Sequence, residues 1–390
     1  MNIEALIADA VEAGVAPGMV AVAIDSGGII AETTAGMIQA GGSTPVSADS
    51  VMWVASLTKA VTATVVMQLV EAGALALDGP ARDVCPDIGK LQVLQGFDAK
   101  GQPILRAPKG EITLRHLLTH TSGLAYDMWE AEIGRYQDAT GAPAIGSGLK
   151  AALQSPLLFD PGTDWRYGIS LDWAGQMVEA VTGKTLEQVM QDRIFGPLGM
   201  VSTGFRISPA MEQNLACMHA KNSRGVTPVP EMRVGQTAEF QGGGGGLYAT
   251  ARDYAAFMRL FLNDGVSDSG ERLLKSETLS LMGTDQLTGQ RVHPLIAAIP
   301  ERSLDLHLPA DSDWGWGLSF LINRDDMPGR RRAGSLAWAG LSNCYYWIDR
   351  TSGLGGLVMC QILPFADPEV LDVFDRLEHA IYASRKDVAV

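Results

Sequence analysis

The chain has 390 residues, 46% apolar and 19% charged, enough to bury one large or two modest cores and too apolar for a disordered chain or a fibre. Its net charge of -14 argues against a nucleic-acid partner, because phosphate backbones call for clustered Lys and Arg. Cys85, Cys217, Cys344 and Cys360 are scattered without a CxxC, and the histidines form no pair at metal-ligand spacing. Reduced thiols, no metal and no organic cofactor are therefore expected. The start, MNIEALIADAVEAG, has early acids and no basic n-region, and no window offers ~18 uninterrupted apolar residues. A cytoplasmic protein with no membrane partner is the expectation, and the oligomeric state is left open.

In chain order, Ile3, Leu6, Ile7, Ala10 and Val11 predict a helix over 2–13, closed by Gly14. Two apolar runs around Asp25-Ser26-Gly27-Gly28 predict a β-hairpin. A helix over 56–72 follows, with the apolar run AVTATVVMQLV inside it. From about 80 to 240, short helices alternate with Pro- and Gly-rich loops. Thr113, Ser170 and Thr185 are the expected caps, Gly183 is a stop, and 206–240 reads as loop. The five glycines Gly242–Gly246 lack the Lys-Ser/Thr of a phosphate loop and predict a tight backbone crossing ahead of a helix over 251–262. GRRRAG, Gly329–Gly334, reads as an exposed turn. WGWGLSFLI, GSLAWAGLSNCYYWID and GLGGLVMCQIL read as three strands, and 367–385, with Val370, Leu371, Phe374, Leu377 and Ile381, as an amphipathic helix.

This order predicts an α/β (α+β) fold. One antiparallel sheet, flanked by the N- and C-terminal helices, would form from residues 1–80 and 241–390. Residues 81–240 would form a mostly helical second domain, with the active site between the two.

Ser56 and Lys59 stand three apart where the helix begins, so both side chains can look the same way. A serine hydroxyl needs a base to become a nucleophile, and a lysine can serve once burial drives off its charge. Tyr167, in PGTDWRYGIS, sits at a loop-to-helix junction where a phenol can shuttle a proton. In GSLAWAGL, small residues beside a strand let a substrate lie along its edge, and the N–H of Leu341 can pair with that of Ser56 as an oxyanion hole. Each stretch alone also fits ordinary packing or capping.

Taken together, SLTK, YGI and WAG resemble the serine β-lactamase and penicillin-binding-protein superfamily, most of all its class C-like branch that includes the family VIII carboxylesterases. HLLTHTSGL, PGTDWRYG and GGGGLYATARDYAAF resemble framework signatures of the same group, so the resemblance runs from about Pro17 to Pro364. It implies that Ser56 is the acylated nucleophile, Lys59 its general-base partner and Tyr167 a second proton-transfer group. Which of Lys59 and Tyr167 takes the first proton stays open. Ser56 and Leu341 would supply the oxyanion N–H groups, and His120 matches a framework position. Two departures stand out. Ile169 replaces the Asn of the lactamase tyrosine motif, and Trp338 stands where a lactamase has the Lys of K-T-G. Both push toward neutral esters. The expected activity is therefore a serine carboxylesterase acting on small short-chain acyl esters through a Ser56 acyl-enzyme, with room left for weak β-lactam hydrolysis because the acylation machinery is shared. The alternatives are a β-lactamase or D-amino-acid peptidase, an acyltransferase with a non-water acceptor, and a catalytically silent scaffold on the same fold. Trp338, Ala339, Gly340, Ile169, Tyr126 and Trp129, with Met128, are the candidate substrate-binding residues. Arg331 or Arg332 is the candidate anchor should the substrate carry a carboxylate.

Overall fold

The structure is a computed structural model and describes residues 2–386. The chain opens with helix α1 (Ile3–Glu12), capped by Asn2, whose side chain accepts the Glu4 N–H. Strands β1 (Gly18–Asp25) and β2 (Gly28–Gly36) form the expected hairpin. Asp25 fixes its turn by accepting from the N–H groups of Gly27 and Gly28. The second half of the chain contributes β3 (Trp314–Trp316), β4 (Leu321–Asn323), β5 (Leu336–Gly340), β6 (Cys344–Asp349) and β7 (Leu354–Met359). The seven strands make one sheet in the order β2-β1-β7-β6-β5-β4-β3, antiparallel throughout. The two chain ends meet where β1 pairs with β7, Val20 opposite Met359 and Asp25 opposite Leu354.

The late segment holds more strands than its apolar runs predict. Two of the three expected strands are each split by a turn built on a non-glycine residue at positive φ, Ser319 (77°) in the first and Asn343 (60°) in the second. Residues 206–240 are also more ordered than expected. His219–Asn222 and Gly225–Pro228 form a hairpin, and the first of these strands pairs in parallel with Ile362–Leu363.

Helices cover both faces of the sheet. Tyr346 and Trp347 are consecutive on β6 and so point to opposite faces. The Tyr346 ring lies 5.5 Å from Tyr254 on the helix Ala251–Leu262, and Trp347 lies 5.3 Å from Phe374 on the last helix, Pro368–Lys386. Burial on both sides explains why β1, β6 and β7 read as continuous apolar runs. Gly356, opposite Trp347 on β7, is a steric necessity, since a Cβ there would meet the indole at 2.0 Å.

Helix α2 (Thr58–Glu71) is buried at every position from Thr58 to Leu69 and packs against α3 (Ser170–Thr182). Thr113 and Thr185 cap their helices as expected, each in a reciprocal capping box, and Gly183 stops α3 with φ 66°. Ser170 does not cap α3. Its hydroxyl is bonded to that of Ser122 at 2.9 Å, and Ile169 holds the cap position without a side-chain bond. Among the described residues no helix is long and apolar enough to cross a membrane.

The GRRRAG segment departs most from its expected exposure. Arg331 is buried, donates to Glu378 from Nε at 2.8 Å and Nη2 at 2.6 Å, and lies over the Trp347 and Phe374 rings. The pair fastens the last helix to the sheet. Arg331→Met would leave the Glu378 charge buried without its partner, at a cost of about 3 kcal/mol. Urea unfolding should show that loss while Ser56 in the folded variant still reacts with a fluorophosphonate at the wild-type rate. An unchanged unfolding midpoint would mean that the pair does not hold the helix.

Candidate active site

The turn that carries Ser56 is strained and heavily braced. Ala55–Leu57 make one 3-10 turn ahead of α2, and Ala55 has φ 45°, a left-handed conformation that costs a non-glycine residue roughly 1–2 kcal/mol. The Thr58 hydroxyl donates to the Ala55 carbonyl at 2.6 Å and accepts the Leu247 N–H at 3.0 Å. Just upstream, the Gln361 amide holds both polar groups of the Trp53 backbone, each at 3.0 Å. Gly340, at the end of β5, lies against this turn so closely that a Cβ would sit 2.4 Å from the Val54 carbonyl oxygen. Gly340 therefore sets a backbone approach that brings the strand end, and Leu341 after it, beside Ser56. Ser56 itself is not a helix cap.

Lys59, one turn into α2, has no exposed surface. Its Nζ lies 3.1 Å from Ser56 Oγ and 3.0 Å from the Tyr126 hydroxyl, and it donates to the Gly244 carbonyl at 2.5 Å. It also stands over the Tyr167 ring at 4.6 Å. Three acceptors match the three N–H groups of an ammonium. A neutral amine fits as well, with two N–H groups donated to Tyr126 and Gly244 and its lone pair turned to the serine hydroxyl. Burial lowers the Lys59 pKa to about 7, against the pull of the Asp172 charge.

Tyr167 accepts the Trp338 Nε1–H at 2.8 Å and is hydrogen-bonded to Ser56. Burial pushes its phenol above the usual range, against those two hydrogen bonds, so it is protonated at neutral pH. His120 packs behind it, ring centroids 4.7 Å apart, with Nδ1 accepting the Gly168 N–H at 3.3 Å. Burial holds this imidazole well below its ordinary pKa, so it braces the tyrosine as a neutral ring. Trp129 lies 5.4 Å from the Tyr167 ring and 5.7 Å from that of Tyr126, and its indole N–H is tied to Ser303 at 2.9 Å.

Several residues differ from their expected places. Tyr126, expected in an acyl pocket, is bonded to Lys59. The polar edge of Trp338 is committed to Tyr167. Met128 holds the 284–308 segment through its carbonyl, which accepts the Ala298 N–H at 2.8 Å. Ile169 lines a small cavity with Tyr126, Asp127 and Ser155, behind the Tyr126–Lys59 contact and without Ser56 in its walls. Arg331 is sequestered by Glu378 and Arg332 is paired with Asp326, both beyond the far end of β5, so neither is a carboxylate anchor for this site. Sequence reasoning missed Asp172, and it read the run holding Gly244 as a tight backbone crossing without its link to Lys59. The available signals were an acid in the first turn of a helix and a glycine run, both with common structural explanations.

The buried lysine ties stability to pH. The unfolded chain keeps the Lys59 proton up to its ordinary pKa of 10.5, whereas the folded chain gives it up near 7. Between those values the unfolded state binds more protons, so this group makes stability rise with pH. Lys59→Met should therefore gain most over wild type at pH 6.5, and its advantage should shrink by up to ~1 kcal/mol per pH unit toward pH 9.5. Urea unfolding at both pH values reads this, and a constant difference would show that the lysine does not lose its charge on folding.

The family model described as Beta-lactamase matches residues 3–380. Monacolin J acid methylbutanoyltransferase of Aspergillus terreus is 34% identical over 87% of this chain and 83% of its own. Lovastatin esterase of Penicillium rubens is 32% identical over 87% of this chain and 86% of its own. Among solved structures, the LovD6 mutant of simvastatin synthase from Aspergillus terreus is 30% identical, with TM-score 0.86 over 99% of this chain and 95% of that one. Fold, family model and relatives agree that the chain belongs to the beta-lactamase family, within the β-lactamase/transpeptidase-like superfamily.

Proposed function

We propose that this protein is a serine acyltransferase that moves a short acyl group from an ester-type donor to an alcohol through an acyl-enzyme on Ser56, with ester hydrolysis as the side reaction. The observation that carries the acyl-enzyme reading is the Lys59 amine, stripped of water, 3.1 Å from Ser56 Oγ and with its pKa lowered by burial to about 7. Transfer is preferred to hydrolysis because relatives that match most of the chain at 33–34% identity are methylbutanoyltransferases. Plain carboxylesterase action is the second reading, favoured by the lovastatin esterase relative.

In the proposed sequence, Ser56 Oγ attacks the donor carbonyl while its proton passes to the Lys59 lone pair. Lys59 takes the first proton because Tyr167 still carries its own and a neutral phenol is too weak a base to accept another. The oxyanion is met by the N–H groups of Ser56 and Leu341. The bond from the acyl carbon to the leaving alcohol breaks, the alcohol takes a proton from the Tyr167 hydroxyl, and the Lys59 ammonium, which stands over that ring, passes the former Ser56 proton to the phenolate. The acceptor hydroxyl then loses its proton by the same route in reverse and attacks the acyl-enzyme, restoring Ser56. Trp129, Trp338 and Ala339 form the apolar surroundings for the acyl group, and no step draws on a charged substrate group.

Ser56→Ala should abolish turnover of a short-chain p-nitrophenyl ester and change stability by about 1 kcal/mol, the scale of the hydrogen bonds to Lys59 and Tyr167 that the hydroxyl gives up. With wild type, added short alcohols should divert acyl groups from acid to alkyl ester in proportion to alcohol concentration. Release of acid alone at every alcohol concentration would leave the esterase reading in place of transfer. Lys59 must be neutral to accept a proton, so kcat/KM should fall below pH about 7, and Lys59→Ala should lower it by 10²-fold or more, on the order expected for general-base loss. A twofold loss would move the base role elsewhere.

A further inference from the structure

Asp172 and the five-glycine run have no part in the steps above, yet both adjoin Lys59. Asp172 sits in the first turn of α3 and is 3% exposed. Its Oδ1 accepts the Gly244 N–H at 3.0 Å, while its Oδ2 is buried with no hydrogen-bond partner. An unpaired buried carboxylate oxygen is costly, and a compensating charge nearby is the usual reason it is kept. The glycine run is pressed onto this corner. A Cβ on Gly244 would lie 2.5 Å from Asp172 Oδ2 and 3.0 Å from the Tyr126 hydroxyl, and one on Gly243 would lie 2.5 Å from the Leu171 carbonyl oxygen. Only glycine fits, and the fit exposes the backbone carbonyls in a row. The Gly243 carbonyl accepts from Thr62 on α2 at 2.7 Å, the Gly244 carbonyl from Lys59 at 2.5 Å, and the Gly245 carbonyl from the Trp53 indole at 2.7 Å.

We infer that Asp172 is a positioning residue for Lys59: it anchors the glycine run that presents the Gly244 carbonyl to the amine, and its unshared oxygen supplies the negative charge facing the ammonium formed when Lys59 takes the Ser56 proton. This deepens the acyl-enzyme reading and rests on it. In that step the Ser56 O–H bond breaks, the Oγ–acyl carbon bond forms and the proton ends on Nζ. A neutral amine thereby becomes a buried cation, and an opposite charge in the same low-dielectric region is worth most at that moment. The groups facing Lys59 are Ser56 from its own segment, Tyr126 and His120 from the 119–129 loop, Tyr167 from the loop before α3, Asp172 from α3 and the Gly244 carbonyl. Asp127 acts further out, on Tyr126. Of the titratable neighbours, Asp172 is the one whose charge favours the ammonium.

Asp172→Asn keeps the volume and an acceptor for the Gly244 N–H while removing the charge. With lysine labelled at the ε-carbon, NMR titration should show the Lys59 midpoint falling by at least one pH unit in the folded variant. The acid limb of the fluorophosphonate labelling rate should move down with it, and the plateau rate should drop tenfold or more because the ammonium is no longer opposed. Gly244→Ala keeps both charges but drives the carboxyl away from its seat, and should lower the Lys59 midpoint in the same direction, which keeps the test open should Asp172→Asn fold poorly. An unchanged Lys59 midpoint in either folded variant overturns the inference and leaves Asp172 a tether for the loop. Failure of wild type to take the phosphonate at Ser56 would instead sink the acyl-enzyme reading, and the NMR midpoints would still report whether Asp172 governs the lysine charge.

Discussion

Taking an ammonium out of water costs several kcal/mol even after the protein relaxes around it. Lys59 has no exposed surface, so the elements around it are arranged to make its amine tolerable. Helix α2, buried from Thr58 to Leu69, carries the lysine away from water. Ser56, Tyr126 and the Gly244 carbonyl take its three directions, and Asp172 stands behind as opposite charge. The balance lies close to even between amine and ammonium near pH 7, which is the condition a proton acceptor needs. The strain at Ala55, the glycine run and the close approach of Gly340 to Val54 all serve to place acceptors or the serine against that one nitrogen.

The Trp338–Tyr167 contact shapes the chemistry in a second way. By resemblance this strand position carries a lysine in lactamases, whose charge would favour a tyrosinate beside it. Here a neutral indole N–H occupies one lone pair of the phenol and adds no charge. Burial then keeps Tyr167 protonated, and Lys59 is left as the group with a free lone pair near Ser56. The same substitution makes the wall of the site apolar, with Trp316 packed 4.6 Å from Trp338 and Trp129 across from it. One replacement thus removes the cation and makes this wall apolar, and the proposed neutral substrate rests on both.

What could be read in the sequence was local. The three-residue spacing of Ser56 and Lys59, the caps at Thr113 and Thr185, the stop at Gly183 and the Asp25 turn each depend on neighbours within about one helical turn, and each appears in the structure as a geometric fact. The sheet from both chain ends followed from the order of apolar runs. The missed features join distant residues. Gly244 meets Asp172 across 72 positions and Lys59 across 185, and Arg331 meets Glu378 across 47. An arginine triplet looks like a solvated turn until the buried carboxylate opposite it is known. Likewise Ser170 looks like a cap until Ser122 claims its hydroxyl, and the extra turns in the sheet rest on Ser319 and Asn343 holding a conformation that glycine usually signals.

The acyl-enzyme reading leaves one physical question, namely how a site with a single base favours an alcohol over water. Both acceptors must give a proton along the same path, so the base does not discriminate. Water is far more abundant, and the alcohol must recover that disadvantage by binding. With the acyl group against Trp129 and Trp338, the means on hand is apolar contact along the 284–308 segment, which holds Trp129 through Ser303 and leaves Ile296 exposed. Burying on the order of 100 Å² of an alcohol's apolar surface yields ~2.5 kcal/mol, close to a hundredfold preference. Such a gain also holds the hydroxyl near the acyl carbon, which water in an open site lacks. On this view a transferase and an esterase with this nucleophile and base would differ in the wall that receives the acceptor, and relatives of nearly equal identity to this chain do carry one name or the other.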